Sequence, residues 1–259
     1  MMNMTEMVKQ LLIINIIFFV GSYLVPNSSE LLALHYFEGD KFRIWQPITH
    51  MFMHGGLMHI FFNMFALVSF GSTLEQFWGG KKFLFFYLSC GIGAMLLHTG
   101  VNYYLFHHGL GILVENGINQ AEIFQVLNEG KYNTQWLEII SQTTMDNMAS
   151  AYLAPAVGAS GAIYGLLVAF AFMFPNAELA LMFIPVPVKA KYFVPVILAI
   201  DLFLGLKGNS LFGSGGTGVA NCVVQEKTAL GVTSGNTLDI QVAVTTAATI
   251  DSSCTITFE

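Results

Sequence analysis

Five apolar stretches are the feature of this chain that most constrains its fold. A helix that spans a bilayer needs roughly 20 residues, and five stretches reach or approach that length, at about residues 8–25, 55–74, 83–104, 157–174 and 192–206. Only 10% of the 259 residues are charged, whereas soluble domains carry about 25%. The sequence therefore predicts an all-α polytopic membrane protein with five spans.

The few charged residues indicate an orientation. The net charge is −6, and the charges lie in short loops, so nothing suggests binding to nucleic acid. Cytoplasmic loops are enriched in Lys and Arg. With the N-terminus inside, the inner segments hold a slight excess of basic residues, namely Lys9, Lys81, Lys82, Lys189 and Lys191. We expect an N-in multi-pass protein of the bacterial cytoplasmic membrane.

The remaining segments have different compositions. Residues 116–150 are polar and predict a large loop outside the hydrocarbon, and residues 181–188 contain two prolines and predict an interfacial connector. Residues 208–220 are rich in glycine, and apolar residues then alternate with polar ones, which is typical of β-strands. We divide the chain into a transmembrane domain (1–207), a glycine-rich loop (208–220) and a polar tail (221–259) that is β-like or disordered. Cys222 and Cys254 can pair only in an oxidising compartment.

A serine lies at the start of the fourth stretch, within Gly158-Ala159-Ser160-Gly161. At the N-terminus of a helix, free N–H groups and the positive end of the dipole stabilise negative charge beside Ser160. Alternatively, Gly158, Gly161 and Gly165 allow two helices to pack closely, and both interpretations can hold together. Tyr164, one turn after Ser160, is either a packing aromatic or a wall of the site.

Two polar residues share one face of the second stretch. His59 and Asn63 are four residues apart, about 40° around a helix, and both can donate hydrogen bonds. Two such donors inside the membrane can stabilise a developing oxyanion. The alternative is an interhelical hydrogen-bonded pair that holds the bundle together.

The same stretch is rich in histidine, which raises the question of a metal. The helical zinc-protease signature needs two histidines four apart, with a glutamate after the first. Met51 follows His50, and Gly55 follows His54, so the signature is absent and we expect no metal. Asp201 is an intramembrane acid and hence a functional candidate. Because it is near the end of its span, we expect a solvated or capped structural acid.

Together these residues resemble the rhomboid family of intramembrane serine proteases, over roughly residues 8–220. The resemblance rests on the order and spacing of several segments: FRIWQPIT (42–49), HGGLMHIFFNM (54–64), LEQFWG (74–79), FLFFY (83–87), GASGAIYG (158–165) and PVPVKAKY (185–192). It implies a rhomboid-like helical bundle that needs no cofactor and cleaves transmembrane segments of other proteins within the lipid bilayer.

The resemblance also implies roles for individual residues. Ser160 would attack the scissile carbonyl as one member of a Ser–His dyad. His59, Asn63 and the Ser160 backbone N–H would hold the oxyanion, and Gly158 would belong to the binding site. Tyr164 would pack against the base histidine, which the family carries on a sixth span.

The chain departs from the family pattern at that base. The glycine-rich approach is present, but Asn221 stands where the histidine is expected, and the sequence contains no histidine after His108. We interpret this as a truncated, frameshifted or fused chain with impaired protease activity. The alternative is a catalytically inactive rhomboid-like protein that binds transmembrane helices. A transporter would predict repeats or paired broken helices, and the sequence shows neither.

Overall fold

The computed structural model describes residues 4–181 and 184–206, together with three short strand segments at 222–224, 242–244 and 253–254. The N-terminal half is helical. Its elements are α1 (Glu6–Leu24), α2 (Ser28–Leu32), α3 (Gln46–Thr49), a 3₁₀ turn (His50–Phe52), α4 (Leu57–Ala66), a π-helical turn (Leu67–Gly71), α5 (Ser72–Trp78) and α6 (Gly80–Glu115).

Helices also dominate the second half. In chain order it contains α7 (Gln120–Asn128), a 3₁₀ turn (Thr134–Glu138), α8 (Gln142–Leu153), α9 (Ser160–Met173), β1 (Glu178–Leu181), β2 (Ile184–Lys189), α10 (Ala190–Leu206), β3 (Cys222–Val224), β4 (Val242–Val244) and β5 (Ser253–Cys254). The prediction of a mainly α-helical membrane protein is confirmed.

The five predicted spans are all helical, but they differ in length. Within the described residues, three helices are long and apolar enough to cross a membrane: Glu6–Leu24, the continuous helix Leu57–Trp78, and Gly80–Glu115. The other two are α9 with 14 residues and α10 with 17 residues. At 1.5 Å per residue α9 is about 21 Å long, which is shorter than the roughly 30 Å hydrocarbon core.

A buried apolar core joins the spans. It includes Leu11 of α1, Met64 of α4, Phe83 of α6 and Leu166 of α9, while Val194 of α10 closes one side. Gly71 allows a close approach, because a Cβ there would lie 3.1 Å from both Phe83 Cζ and Val8 Cγ2. The core therefore fixes how the helices that carry the polar residues are shifted and rotated relative to one another.

The polar segment after the third span is not the predicted loop. It forms α7 and α8, whose apolar residues recur at helical spacing, as Ile123 and Leu127 do on α7 and Met145 and Met148 do on α8. These residues build a second core with the last turns of α6. The sequence of this segment is polar on average, so the narrow apolar stripe of each helix did not show in its composition.

The length of α6 explains how the second core forms. Its 36 residues extend about 54 Å, well beyond the roughly 30 Å that a bilayer requires. The predicted span, residues 83–104, is thus only part of the helix. The C-terminal turns of α6 pack against α7 and α8. We call these turns, α7 and α8 the extramembrane module, because the length of α6 and the polar composition of residues 116–150 predict a position outside the hydrocarbon.

Tyr152 belongs to the core of the extramembrane module. Its hydroxyl donates to Asn128 Oδ1 at 2.7 Å, and its ring packs 5.0 Å from that of Phe106. Burial raises the pKa of Tyr152 to about 12, and the negative charges of Asp40 and Glu38 add to the effect.

The connector before α10 is a β-hairpin. β1 and β2 are antiparallel, with Glu178 opposite Lys189 and Leu181 opposite Ile184. Pro185 and Pro187 lie in β2, and proline is tolerated at a strand edge because it needs no ladder partner there.

In the tail, β3, β4 and β5 form an antiparallel sheet with β4 in the centre. The glycine-rich loop 208–220, Asn221 and the rest of the predicted tail lie outside the described residues.

Candidate active site

Ser160 is the first residue of α9 and is half-buried. The residue before it is Ala159, whose methyl side chain cannot accept a hydrogen bond from the first-turn amides. Those amides and the positive end of the helix dipole therefore lie beside the Ser160 hydroxyl. Because α9 is shorter than the hydrocarbon core, a hydroxyl at its end can lie below the membrane surface.

The backbone just before Ser160 adopts, at Gly158, a conformation that favours glycine. Its φ is +129°, and its N–H donates to the His50 carbonyl at 2.9 Å. A Cβ at Gly158 would lie 2.9 Å from His59 Cε1, 3.0 Å from His59 Nε2 and 3.6 Å from Ser160 Oγ. The imidazole and the serine hydroxyl thus flank the same point in space.

His59 is buried, with 4% of its surface exposed. The Gly55 backbone N–H donates to His59 Nδ1 at 3.3 Å. A neutral imidazole that accepts at Nδ1 carries its proton on Nε2. Nε2 is one of the two ring atoms next to Gly158, so His59 presents a hydrogen-bond donor, not a base, on the side of Ser160.

Asn63 is also buried and lies one turn from His59 on α4. Its Nδ2 donates to the His59 backbone carbonyl at 3.0 Å, which uses one of the two amide hydrogens. The structure therefore brings His59 close to Ser160, whereas Asn63 is bonded to its own helix.

The histidines near His59 serve other contacts. The His54 ring is 5.0 Å from the His59 ring in an edge-on arrangement, and His50 Nδ1 lies 2.9 Å from the Gln46 carbonyl. His54 is also buried. Across residues 4–181 and 184–206, no group of three or more His, Cys, Asp or Glu side chains is placed to hold a metal ion.

Close packing of α9 on α6 places the serine helix. A Cβ on Gly161 would lie 2.4 Å from Ala94 Cβ, and one on Gly165 would lie 2.4 Å from Cys90 Sγ. Gly161 and Gly165 thus allow α9, the helix that carries Ser160, to pack closely on α6, as the helix-packing interpretation predicts. Cys90 is a small packing residue in this interface.

Sequence reasoning missed the partner of Tyr164. The Tyr164 hydroxyl donates to Asp201 Oδ2 on α10. Asp201 is 6% exposed, so the solvated alternative is wrong, and the Tyr164 hydroxyl caps the carboxylate as the other alternative predicted. The sequence did mark Asp201 as a functional candidate, because an acid inside a span is rare, but it gave no sign of the pairing with Tyr164. The predicted packing of Tyr164 on the base histidine involves position 221, which lies outside the described residues.

Comparisons with known proteins indicate the family of this chain. The family model described as the Rhomboid domain matches residues 41–115 and 110–222. These two matches include all the site residues described above and span most of the 259-residue chain.

Individual relatives match over shorter shares of their own length. "RHOMBOID-like protein 12, mitochondrial" from Arabidopsis thaliana is 27% identical over 69% of this chain and 45% of the relative. "Rhomboid protein 1, mitochondrial" from Saccharomyces cerevisiae is 26% identical over 54% of this chain and 28% of the relative. "Rhomboid protease GluP" from Bacillus subtilis is 40% identical over 18% of this chain and 10% of the relative. The chain matches less than half of the length of each of these proteins.

Proposed function

The chain belongs to the rhomboid family, and on that premise we propose that its membrane domain is an intramembrane serine protease site that cleaves transmembrane segments of other proteins. The observation that carries the proposal is the placement of His59 Nε2 and Ser160 Oγ around Gly158. A donor and a hydroxyl that flank one point provide a place for a carbonyl between them.

The proposed chemistry is acyl transfer. Ser160 Oγ attacks the scissile carbonyl, and the oxyanion is stabilised by His59 Nε2–H, the Asn63 amide and the Ser160 backbone N–H. For Asn63 this requires its second amide hydrogen to reach the oxyanion. No metal or cofactor takes part in the proposed reaction.

We further propose that the chain is impaired as a protease. An unassisted serine hydroxyl is a weak nucleophile at neutral pH, and Asn221 stands where the family resemblance implies the base histidine. An amide cannot accept a proton as imidazole does. Loss of one member of a catalytic unit typically costs several orders of magnitude in rate.

The second candidate function is an inactive rhomboid-like protein that binds transmembrane helices. Asn221 favours it. The contact of Gly158 with the His59 ring favours the protease, since it keeps a hydrogen-bond donor beside Ser160.

We propose that the N-terminus lies inside, on the basis of the lysine distribution, and that the membrane is the bacterial cytoplasmic membrane. Two of the relatives carry "mitochondrial" in their names and the third is from Bacillus subtilis. The orientation can be tested with one reporter fused to the N-terminus and another inserted between α7 and α8. We expect the two reporters to lie on opposite sides of the membrane. We retain the division into residues 1–207, 208–220 and 221–259.

The decisive experiment compares the chain with a version whose base is restored. In the restored chain, residues 221–259 are replaced by a family-type sixth span that begins with histidine. Both are reconstituted in lipid vesicles with a model transmembrane substrate that contains helix-breaking residues. We expect the restored chain to cleave at least about 10³-fold faster than the unmodified one, and Ser160→Ala to abolish cleavage in it.

The outcomes separate the two candidate functions. A folded restored chain that binds the substrate helix but does not cleave it would establish the binding protein and overturn the protease. An unmodified chain that cleaves as fast as the restored one would overturn the proposed impairment.

A further inference from the structure

The extramembrane module has no role in the proposed acyl transfer, yet it is joined directly to the serine. Its last helix, α8, ends at Leu153, and only six residues separate that end from Ser160 at the start of α9. The segment 154–159 is therefore held between the module and the serine helix. The contacts that fix this segment also fix where the serine hydroxyl lies.

Two backbone contacts hold the segment before the serine helix. Leu34 and Ala156 exchange both of their N–H···O bonds, at 2.9 and 2.8 Å, as an isolated antiparallel bridge. The Gly158 N–H donates to the His50 carbonyl at 2.9 Å. Leu34 belongs to the loop between α2 and α3, residues 33–45, which we call the first loop. The first loop and the turn after α3 thus form the support for this segment.

Gln46 makes the first loop a single body. Its side chain is fully buried. Its Oε1 accepts from the His35 and Arg43 backbone N–H groups at 3.2 and 3.1 Å, and its Nε2 donates to the Lys41 carbonyl at 3.0 Å. Because these bonds join both ends of the loop to the start of α3, a displacement of one part of the loop is transmitted to Leu34.

Tyr36 connects the first loop to the module. Its side chain is 5% exposed and belongs to the module's core. The Tyr36 ring lies 5.1 Å from the ring of Phe106 and 5.3 Å from that of Tyr152, and buried aromatic pairs add stability beyond their area. Glu38 also contacts His107, at 2.9 Å, but partly exposed ion pairs contribute little. Tyr36 is therefore the main anchor of the loop.

We propose that the extramembrane module positions Ser160 through the first loop, with Tyr36 as the positioning residue. The proposal rests on the proposed function of the Ser160 site and names a residue outside the site on which its geometry depends. Pairing between two short strands is marginally stable by itself, so the bridge needs an anchor on each side. The end of α8 anchors Ala156, and Tyr36 anchors Leu34.

The alternative is that Tyr36 only stabilises the core of the module. A large aromatic side chain contributes to any core in which it is buried, whatever the neighbouring segments do. The two roles differ in where the loss of the side chain is felt. A positioning residue loosens the segment 154–159, whereas a core residue loosens the module.

The first test measures backbone amide hydrogen exchange in the unmodified full-length chain. In Tyr36→Ala, we expect the amides of Ala156 and Gly158 to exchange at least about tenfold faster, because their acceptors are no longer held in place. Amides in the interior of α9 should keep their protection. Tyr36→Phe retains the ring and should preserve most of the protection of Ala156.

Ile123→Ala is the matched control. Ile123 is fully buried in the same core but belongs to α7, not to the first loop. Its replacement should accelerate exchange within α7 and change that of Ala156 and Gly158 less than twofold. Equal acceleration of these two amides in Ile123→Ala and Tyr36→Ala would overturn the proposal, and so would unchanged protection of Ala156 in Tyr36→Ala.

The second test replaces the anchor by a cross-link. Residues that exchange both hydrogen bonds have Cα atoms about 5.5 Å apart, which suits a disulfide. Leu34→Cys and Ala156→Cys are introduced into the restored chain, with Cys90→Ala and a sixth span free of cysteine. In the reduced form, Tyr36→Ala should lower kcat at least about tenfold, because misplaced reacting groups are costly, and should change KM less than threefold.

Oxidation should then recover most of the lost kcat, since the disulfide holds the bridge without Tyr36. A loss that persists in the oxidised form would overturn the proposal. The comparison is between two forms of one variant, so it stays decisive where Tyr36→Ala unfolds part of the module. The exchange test does not depend on protease activity. A restored chain with intact Tyr36 that fails to cleave overturns the proposed function, while hydrogen exchange still decides the role of Tyr36.

Discussion

The His59 imidazole lies directly against the backbone of Gly158. A Cβ at Gly158 would approach two ring atoms to 3.0 Å or less, a distance that packed carbon atoms do not adopt, since their optimum is about 3.5–4.0 Å. The ring is held on its other side by the Gly55 N–H. The position of the Nε2 donor beside Ser160 therefore depends on the absence of a side chain at Gly158.

Gly158→Ala should displace the His59 ring. Alanine is strained at φ +129°, at a cost of about 1–3 kcal/mol, and its methyl group overlaps the imidazole. Loss of one aligned oxyanion donor costs about 10²–10³ in rate, so cleavage by the restored chain should fall by about that factor. The measurement is kcat in lipid vesicles, with thermal unfolding recorded in parallel.

Gly93→Ala is the matched control for this substitution. Gly93 lies in α6 and faces open space within the described part of the chain, so its replacement should leave the rate unchanged. A Gly158→Ala variant that cleaves at the normal rate would show that His59 is not the donor.

The interface between α6 and α9 predicts a compensating pair. A Cβ at Gly165 would lie 2.4 Å from Cys90 Sγ and 2.7 Å from Cys90 Cβ. Gly165→Ala should therefore overpack the interface and lower the free energy of unfolding by about 1–3 kcal/mol. The double variant Cys90→Gly/Gly165→Ala removes both overlaps and should recover most of that loss.

Gly100→Ala, also on α6 and facing open space among the described residues, serves as the control. It should be neutral or slightly stabilising, because alanine favours a helix more than glycine does. If Cys90→Gly and Gly165→Ala destabilise additively, the two residues do not share the contact.

The sequence predicts the spans and the close-packed glycines well, because apolar length and the spacing of small residues are local features. Tyr164 and Asp201 are 37 residues apart, and no local pattern shows that α9 and α10 bring them together. The extramembrane module was missed for another reason. Its apolar stripe is narrow, and its core is completed by Tyr36, Phe106 and Tyr152 from three separate segments.

The anchor of α1 depends on Glu75. Its carboxylate accepts from the Met7 and Val8 backbone N–H groups at 3.0 and 2.9 Å and from the Thr5 hydroxyl. These donors lie at the N-terminal end of α1. A negative charge at this end also stabilises the helix through its dipole.

Glu75→Gln should lower the free energy of unfolding by about 1–3 kcal/mol, the usual contribution of buried hydrogen bonds to a charged group. The first turns of α1 should also lose protection in amide hydrogen exchange. Glu6→Gln makes the same chemical change at the same helix end on an exposed residue, and should cost less than about 1 kcal/mol. Equal losses for the two variants would show that the contacts of Glu75 do not anchor α1.

Tyr152 should make the extramembrane module sensitive to high pH. Its pKa is raised to about 12 by burial and by the charges of Asp40 and Glu38, whereas an unfolded tyrosine titrates near 10. The folded state therefore keeps the proton after the unfolded state has lost it. The stability that depends on the neutral phenol is complete below pH 10 and is lost as the pH rises towards 12.

The phenolate absorbance measures this shift. The difference between the titration curves of the parent chain and Tyr152→Phe should contain one phenol that ionises near pH 12 in the folded state and near pH 10 in denaturant. The variant also loses the hydrogen bond to Asn128, so it should be about 1 kcal/mol less stable at neutral pH, yet lose less of its remaining stability between pH 10 and 12. A difference curve centred near pH 10 in the folded protein would contradict the buried, acid-flanked position of Tyr152 and with it the packing of α8 on the end of α6.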